Sequence, residues 1–313
     1  MRYRIEYLLV CVLIALVRIT PGPLVRAGGS VLGLAFYTLD RQHRRIAQRN
    51  LAAAFPGRSP AARRAIARRA FTHFGRLTLE LLRFATLSPK QMLKRVEFDG
   101  EERARAAYAQ GKGVLFITGH FGFWELHAMV HALRMPPISV LARALDNPHL
   151  DRLLERIRQR TGNTVVYRRE TIRRVMRALQ AGEGVAVLID QHIISRDAVY
   201  VDFFERPAAT TSAVAALALR TGAPVVPVFA LPLGRGRYRM VYEHPVEPPA
   251  ADSIDPLREF TQRCTDVLEM HVRRRPELWL WMHRRWRDNG APADSVPGLF
   301  PTAAREGDPA QDE

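Results

Sequence analysis

A histidine and a glutamate, His120 and Glu125, stand in Thr118-Gly119-His120-Phe121-Gly122-Phe123-Trp124-Glu125-Leu126, directly after the apolar run Val114-Leu115-Phe116-Ile117. That run is short, continuous and preceded by Gly111-Lys112-Gly113, the pattern of a buried strand entered from a turn. From Trp124 to Leu133 the apolar residues recur at helical spacing. His120 therefore falls where a strand ends and Glu125 in the opening turns of a helix, at the edge of an α/β sheet where ligands bind. An imidazole placed there can take a proton from a hydroxyl, provided a carboxylate fixes its tautomer and stabilises the imidazolium. The pair reads as a base and its orienter. The spacing alone leaves a plainer alternative open, a histidine that only satisfies a strand end.

Other polar residues fall into the same frame. Asp190 closes the run Val185-Ala186-Val187-Leu188-Ile189 at the same expected sheet edge. It could orient substrate, pair with an arginine of the site, or cap a turn. His127 and His131 are one helical turn apart and share a face, but no glutamate completes a His-Glu-x-x-His pattern, so they read as packing or surface residues and no metal is expected. Trp279, Trp281 and Trp286 lie among Arg284, Arg285 and Arg287. Such a mixture suits a membrane interface or a stacked surface, or core packing, which is the expectation for Trp281.

The segment around His120 resembles the His-x-x-x-x-Glu signature of the bacterial lipid A late acyltransferases, in its His-Phe-Gly-x-Trp-Glu form. Further blocks match in that family's order: Arg143 with Asn147-Pro148, 151–162 with Arg158 and Arg160, Arg168 in a Tyr-Arg-Arg run, Asp190-Gln191, Phe203-Phe204 with Thr210-Thr211, 221–227, and Trp281-x-His283-Arg284-Arg285-Trp286. Asn50-Leu51 and Phe55-Pro56 match upstream, so the resemblance runs to about Arg287. It implies an O-acyltransferase without cofactor that moves a fatty acyl chain from acyl carrier protein to a hydroxyl of a lipid A precursor. Another glycolipid acceptor, such as a phosphatidylinositol mannoside, and a catalytically degenerate membrane protein are the alternatives.

By that resemblance His120 is the general base and Glu125 holds its ring. Arg158, with Arg160 close behind, is the candidate for the oxyanion or a lipid phosphate. Two apart on a helix, they face different ways, so at most one enters the site. Arg143 would bind phosphate or anchor Asn147, while Arg168, Asp190 and Gln191 would contact substrate. His192 stands where the family usually has a second acid after Asp190. No Gly-x-Ser-x-Gly elbow occurs, and Cys11 and Cys264 lie far from the motif. This fits a reaction in which the acceptor hydroxyl itself attacks.

These residues need a scaffold, and the chain is long enough for one. Its 313 residues are 47% hydrophobic, ample for a packed core, and two distant cysteines give neither a disulfide framework nor a metal spacing. A formal net charge of +16, carried almost wholly by arginine, implies anionic partners. No nucleic-acid motif accompanies it. Short apolar runs at 114–118, 138–141, 185–190, 225–230 and 238–242 alternate with amphipathic stretches at 123–134, 147–161, 170–181, 211–221 and 256–274. The alternation predicts an α/β fold, a layered αβα domain around a mostly parallel or mixed sheet.

Upstream, the unbroken apolar run 7–17 would reach only about half of a hydrocarbon core as a helix. A second apolar stretch, 31–37, follows Pro21-Gly22-Pro23. Arg41, Arg44, Arg45, Arg49, Arg58, Arg63, Arg64, Arg68 and Arg69 come next with no acid between them. An apolar stretch beside positive charge predicts an uncleaved interfacial anchor on the cytoplasmic face of a bacterial inner membrane. The expected organisation is an anchor over 1–40, an acyltransferase domain over 41–288 and a disordered tail over 289–313.

Overall fold

The computed structural model describes residues 1–167, 171–193 and 198–286. The expected tail and Arg168 lie outside the described residues. The helices are α1 (Arg2–Ile19), α2 (Gly22–Leu39), α3 (Arg41–Ala54), α4 (Pro60–Phe84), α5 (Pro89–Leu93), α6 (Glu101–Ala109), α7 (Trp124–Val130), α8 (Pro148–Gln159), α9 (Thr171–Gln180), α10 (Ala213–Thr221) and α11 (Pro256–Arg274). The strands are β1 (Val96–Asp99), β2 (Val114–Thr118), β3 (Ile138–Ala142), β4 (Thr164–Tyr167), β5 (Gly184–Leu188), β6 (Ala198–Asp202), β7 (Pro207–Thr211), β8 (Val225–Gly234) and β9 (Arg237–Tyr242).

Seven strands form one sheet in the order β1-β9-β8-β2-β5-β3-β4. Strands β8, β2, β5, β3 and β4 are mutually parallel, and β9 joins β8 antiparallel through a tight Gly234-Arg235-Gly236 turn. The strand residues alternate between two apolar layers. In β2, Val114 and Phe116 face the layer of α5, α6 and α7, whereas Leu115 and Ile117 face the layer of α9, α10 and α11. The two-residue strand period thus divides one buried strand between two cores, as expected when helices cover both faces of a parallel sheet. The αβα expectation holds; β1, β4 and the separate β6–β7 hairpin are additions to it.

The two apolar N-terminal stretches are helices, and α2 lies against α4 at very short range. A Cβ on Gly33 would stand 2.2 Å from Phe71 O, and one on Gly75 would stand 2.3 Å from Gly29 O. Only glycine permits this backbone approach. The other side of the pair is apolar and open: Leu8, Leu9, Val12 and Leu16 of α1 and Leu24 and Val31 of α2 are exposed. Among the described residues, no helix is long and apolar enough to cross a membrane.

Candidate active site

Strand register brings the first two groups together. Thr118 at the end of β2 is the parallel neighbour of Leu188 at the end of β5. Carried two residues further along each chain, the same register sets His120 opposite Asp190. Ile189 N–H donates to Thr118 O at 3.0 Å and keeps the two chains together past the sheet edge. His120 Nδ1 lies 2.8 Å from Asp190 Oδ1, and its backbone N–H donates to Asp190 Oδ2 at 2.7 Å. The Trp279 indole donates to that same Oδ2 at 2.8 Å. Gly119 lets the chain pass close to this carboxylate: a Cβ there would stand 2.9 Å from Asp190 Oδ2 and from the Leu268 methyl groups.

Burial alone would raise the Asp190 carboxyl, but the His120 charge, the two bonds from His120 and the Trp279 bond together bring it down to about 2. Asp190 is therefore ionised and can only accept, so Nδ1 carries a proton toward it and the lone pair of a neutral ring sits on Nε2. Gln191 Nε2 lies 3.3 Å from that nitrogen. The Trp124 ring, centroid 5.1 Å from the imidazole, borders it. With its side chain 12% exposed against 2% for Asp190, the histidine is the member of the pair that meets the outside.

Glu125 is placed differently from the expectation that it grips the His120 ring. Its Oε2 and Oε1 accept from Arg158 Nε and Nη2 at 2.9 and 2.5 Å, a two-point pair. The carboxylate at His120 Nδ1 is that of Asp190. The reason is geometric: Glu125 rides in the first turn of α7 and Arg158 in the last turn of α8, so the packing of these helices aims one at the other. Each charge also complements its own helix end. Burial would raise the Glu125 carboxyl, yet the Arg158 charge and bonds, then the His120 charge, keep it below the usual carboxylate range. Arg158 spends Nε and Nη2 on this pair, which leaves Nη1 as its third nitrogen.

The remaining expected residues disperse. Arg160 Nη1 donates to Ala85 O at the end of α4, so the two arginines do diverge. Arg143 is exposed on the loop after β3 and makes no hydrogen bond to Asn147. Asn147 has a structural task instead: its side-chain oxygen caps α8 by accepting from the His149 and Leu150 N–H groups. Its Nδ2 donates to Tyr3 O and Glu6 Oε2 of α1. Asp190 pairs with the histidine rather than with an arginine. His127 and His131 are buried and bonded to each other at 3.0 Å, with the Tyr242 hydroxyl 2.9 Å from His131 Nδ1.

Trp279, read from sequence as an interface or packing residue, is 1% exposed and a direct partner of Asp190. Its role depends on a contact across almost ninety residues of chain, and no local pattern reports that. One usable signal was the Asn50-Leu51 block upstream of the closing tryptophans. Asn50 Nδ2 donates to Trp281 O at 2.8 Å and to His283 O at 2.6 Å, fixing the segment that carries Trp279.

Comparison with known proteins gives the chain's family. The family model described as "Bacterial lipid A biosynthesis acyltransferase" matches residues 1–288. The lipid A biosynthesis lauroyltransferase of Escherichia coli (strain K12) is 29% identical, covering 93% of this chain and 95% of that protein. The lipid A biosynthesis myristoyltransferase of the same organism is 26% identical, covering 78% of this chain and 75% of its own length. A solved 1-acyl-sn-glycerophosphate acyltransferase from Thermotoga maritima aligns over 79% of this chain and 96% of that one, with 16% identity and a TM-score of 0.36, too distant to build on. A match across the whole described chain, with the His120 segment intact inside it, means that this protein belongs to the bacterial lipid A biosynthesis acyltransferase family.

Proposed function

We propose that the chain transfers a fatty acyl group from the thioester of acyl carrier protein to a hydroxyl of a lipid A precursor, on the cytoplasmic face of the bacterial inner membrane. The observation that carries the mechanism is the Nδ1–Asp190 bond, which directs the lone pair of His120 Nε2 outward. An acceptor hydroxyl takes the place of the Gln191 amide at Nε2 and gives up its proton as its oxygen attacks the thioester carbonyl. The imidazolium that forms is balanced by the Asp190 carboxylate. The tetrahedral oxyanion then collapses, the carbon–sulfur bond breaks, and Nε2 returns the proton to the departing thiolate. An ester remains on the acceptor.

General-base catalysis supplies about 10²–10⁴-fold, so the oxyanion needs its own partner. Arg158 is our candidate, through Nη1, with Glu125 acting as its positioning partner. The exposed apolar side of α1 and α2 supports an interfacial seat, in which helices lie in the headgroup region without spanning it. The excess of positive charge would draw an acidic carrier protein and a phosphorylated acceptor alike. The test is mass spectrometry of lipid A from cells with and without the protein, paired with transfer from acyl carrier protein to purified precursor. An unchanged lipid A profile together with no transfer in vitro would refute the assignment.

A further inference from the structure

The turn that links His120 to the start of α7 is held largely by main-chain partners. Leu280 N–H donates to His120 O at 3.1 Å, Gly122 N–H donates to Leu278 O at 2.9 Å, and Phe123 N–H donates to Ala230 O at 2.9 Å. Gly122 itself has φ 60°, and a Cβ on it would run into Ala230 O. Its carbonyl is satisfied in another way, by the side chain of His73 on α4, whose Nε2 lies 3.2 Å from Gly122 O. A carbonyl only accepts, so Nε2 carries the proton in this contact. Desolvation pushes the His73 ring down to about 4, which keeps it neutral near pH 7.

The peptide plane joining Gly122 to Phe123 is thus held at both ends, its N–H by β8 and its C=O by α4. The next residue of α4 reaches the same segment: the Phe74 ring lies 5.8 Å from that of Trp124, which borders the His120 imidazole at 5.1 Å. His73 sits between Phe71 and Gly75, the two points where α2 crosses α4 at backbone contact. Its own backbone is therefore set by that crossing and not by the turn it holds.

We propose that His73 is a positioning residue for the transfer reaction, one that fixes the turn between His120 and Glu125 so that the base and the Glu125–Arg158 pair keep their relative placement. Gly122 lies between the two, and glycine is the residue whose backbone turns most freely. With its carbonyl released, the Gly122–Phe123 plane can rotate and carry the first turn of α7, with Glu125 on it, away from its alignment with His120. His73 is assigned no contact with a reacting atom. The proposal rests on the acyl-transfer reading and adds to it the residue that holds its two halves in register.

The test compares three variants of the full chain. His73→Phe keeps a ring and removes the donor. His73→Asn carries an amide too short to reach Gly122 O, whereas the Nε2 of His73→Gln is as many bonds from Cα as that of histidine and can donate. In His73→Phe and His73→Asn, kcat should fall about tenfold to a hundredfold, the scale of a misplacement of up to about 1 Å. KM for donor and acceptor should stay nearly unchanged, and His73→Gln should recover most of the rate. Hydrogen exchange read by mass spectrometry should quicken in peptides covering 119–124 in the first two variants and not in His73→Gln. Melting in the same detergent identifies folded protein, and if His73→Phe does not fold, the asparagine and glutamine variants make the comparison by themselves. Quickened exchange with an unchanged kcat, losses confined to KM, or a folded His73→Gln as slow as His73→Asn would overturn the positioning role. Wild type without transfer would refute the acyl-transfer reading instead; the exchange comparison would still be decisive for the contact, since unchanged exchange in His73→Asn overturns it.

Discussion

Replacing Asp190 with asparagine should disable transfer while leaving the fold intact. The Asp190 carboxylate accepts three hydrogen bonds: Nδ1 of His120 on Oδ1, and the His120 backbone N–H and the Trp279 indole on Oδ2. An asparagine has one acceptor oxygen. Two fixed N–H donors converge on the Oδ2 position and only one on Oδ1, so the amide oxygen takes the Oδ2 position and the amide nitrogen faces His120. Nδ1 must then accept, its proton moves to Nε2, and the lone pair that should meet the acceptor hydroxyl is gone. The imidazolium also loses the charge opposite it. Wrong-tautomer histidine forfeits the whole base contribution, so transfer should fall by about 10²–10⁴-fold.

Side-chain volume and two of the three bonds survive, so thermal melting should stay near wild type. Asp190→Ala, in contrast, leaves two buried N–H donors without partners and should cost roughly 2–6 kcal/mol. The assay is initial-rate transfer of a labelled acyl group from acyl carrier protein to lipid A precursor, with melting followed in the same detergent. Transfer within tenfold of wild type for Asp190→Asn, alongside near-complete loss for Glu125→Gln, would refute the tautomer argument and return the orienting task to Glu125.

Glu125→Ala should destabilise the protein by about 3–5 kcal/mol, because Arg158 is left buried without its counter-charge; denaturant titration checks this, and a loss under 1 kcal/mol would mean that Arg158 finds another partner. The double variant His120→Ala/Asp190→Asn should transfer scarcely more slowly than His120→Ala alone, since the two act as one unit; multiplying losses in the rate assay would give Asp190 a separate task. Gly33→Val should unseat α2 from α4, because even a Cβ would stand 2.2 Å from Phe71 O; unchanged melting would show that the crossing adapts. Burial lowers His127 to about 3, so its contribution to stability is complete above the unfolded value near 6.5 and is lost as pH falls toward 3, at about 1.4 kcal/mol per pH unit. Glu80, raised to about 6, acts in the opposite sense between its unfolded value and 6 and is common to both proteins, so the difference between wild type and His127→Phe reads His127 together with its bonded neighbour His131; a difference in stability that does not change between pH 7 and 5 would contradict this.

Local chemistry was written into the sequence. The run 114–118 is a strand because a continuous apolar stretch can serve two helical layers at once, and 256–274 is a helix because its apolar residues recur on one side. The family and the His120 segment were legible for the same reason: they lie in contiguous blocks. The partner of His120 was not. Glu125, five residues away, looked like the natural orienter, yet α7 points it toward α8 and the two-point fork of Arg158. Asp190 becomes the orienter through a parallel register between β2 and β5, and Trp279 joins it from a segment fixed by Asn50. Hydrogen bonds at 2.7 and 2.8 Å between residues 70 and 89 positions apart are set by how strands align and segments close over the sheet. Hydrophobic spacing decides which residues become strand or helix, and only tertiary packing decides which carboxylate faces which base.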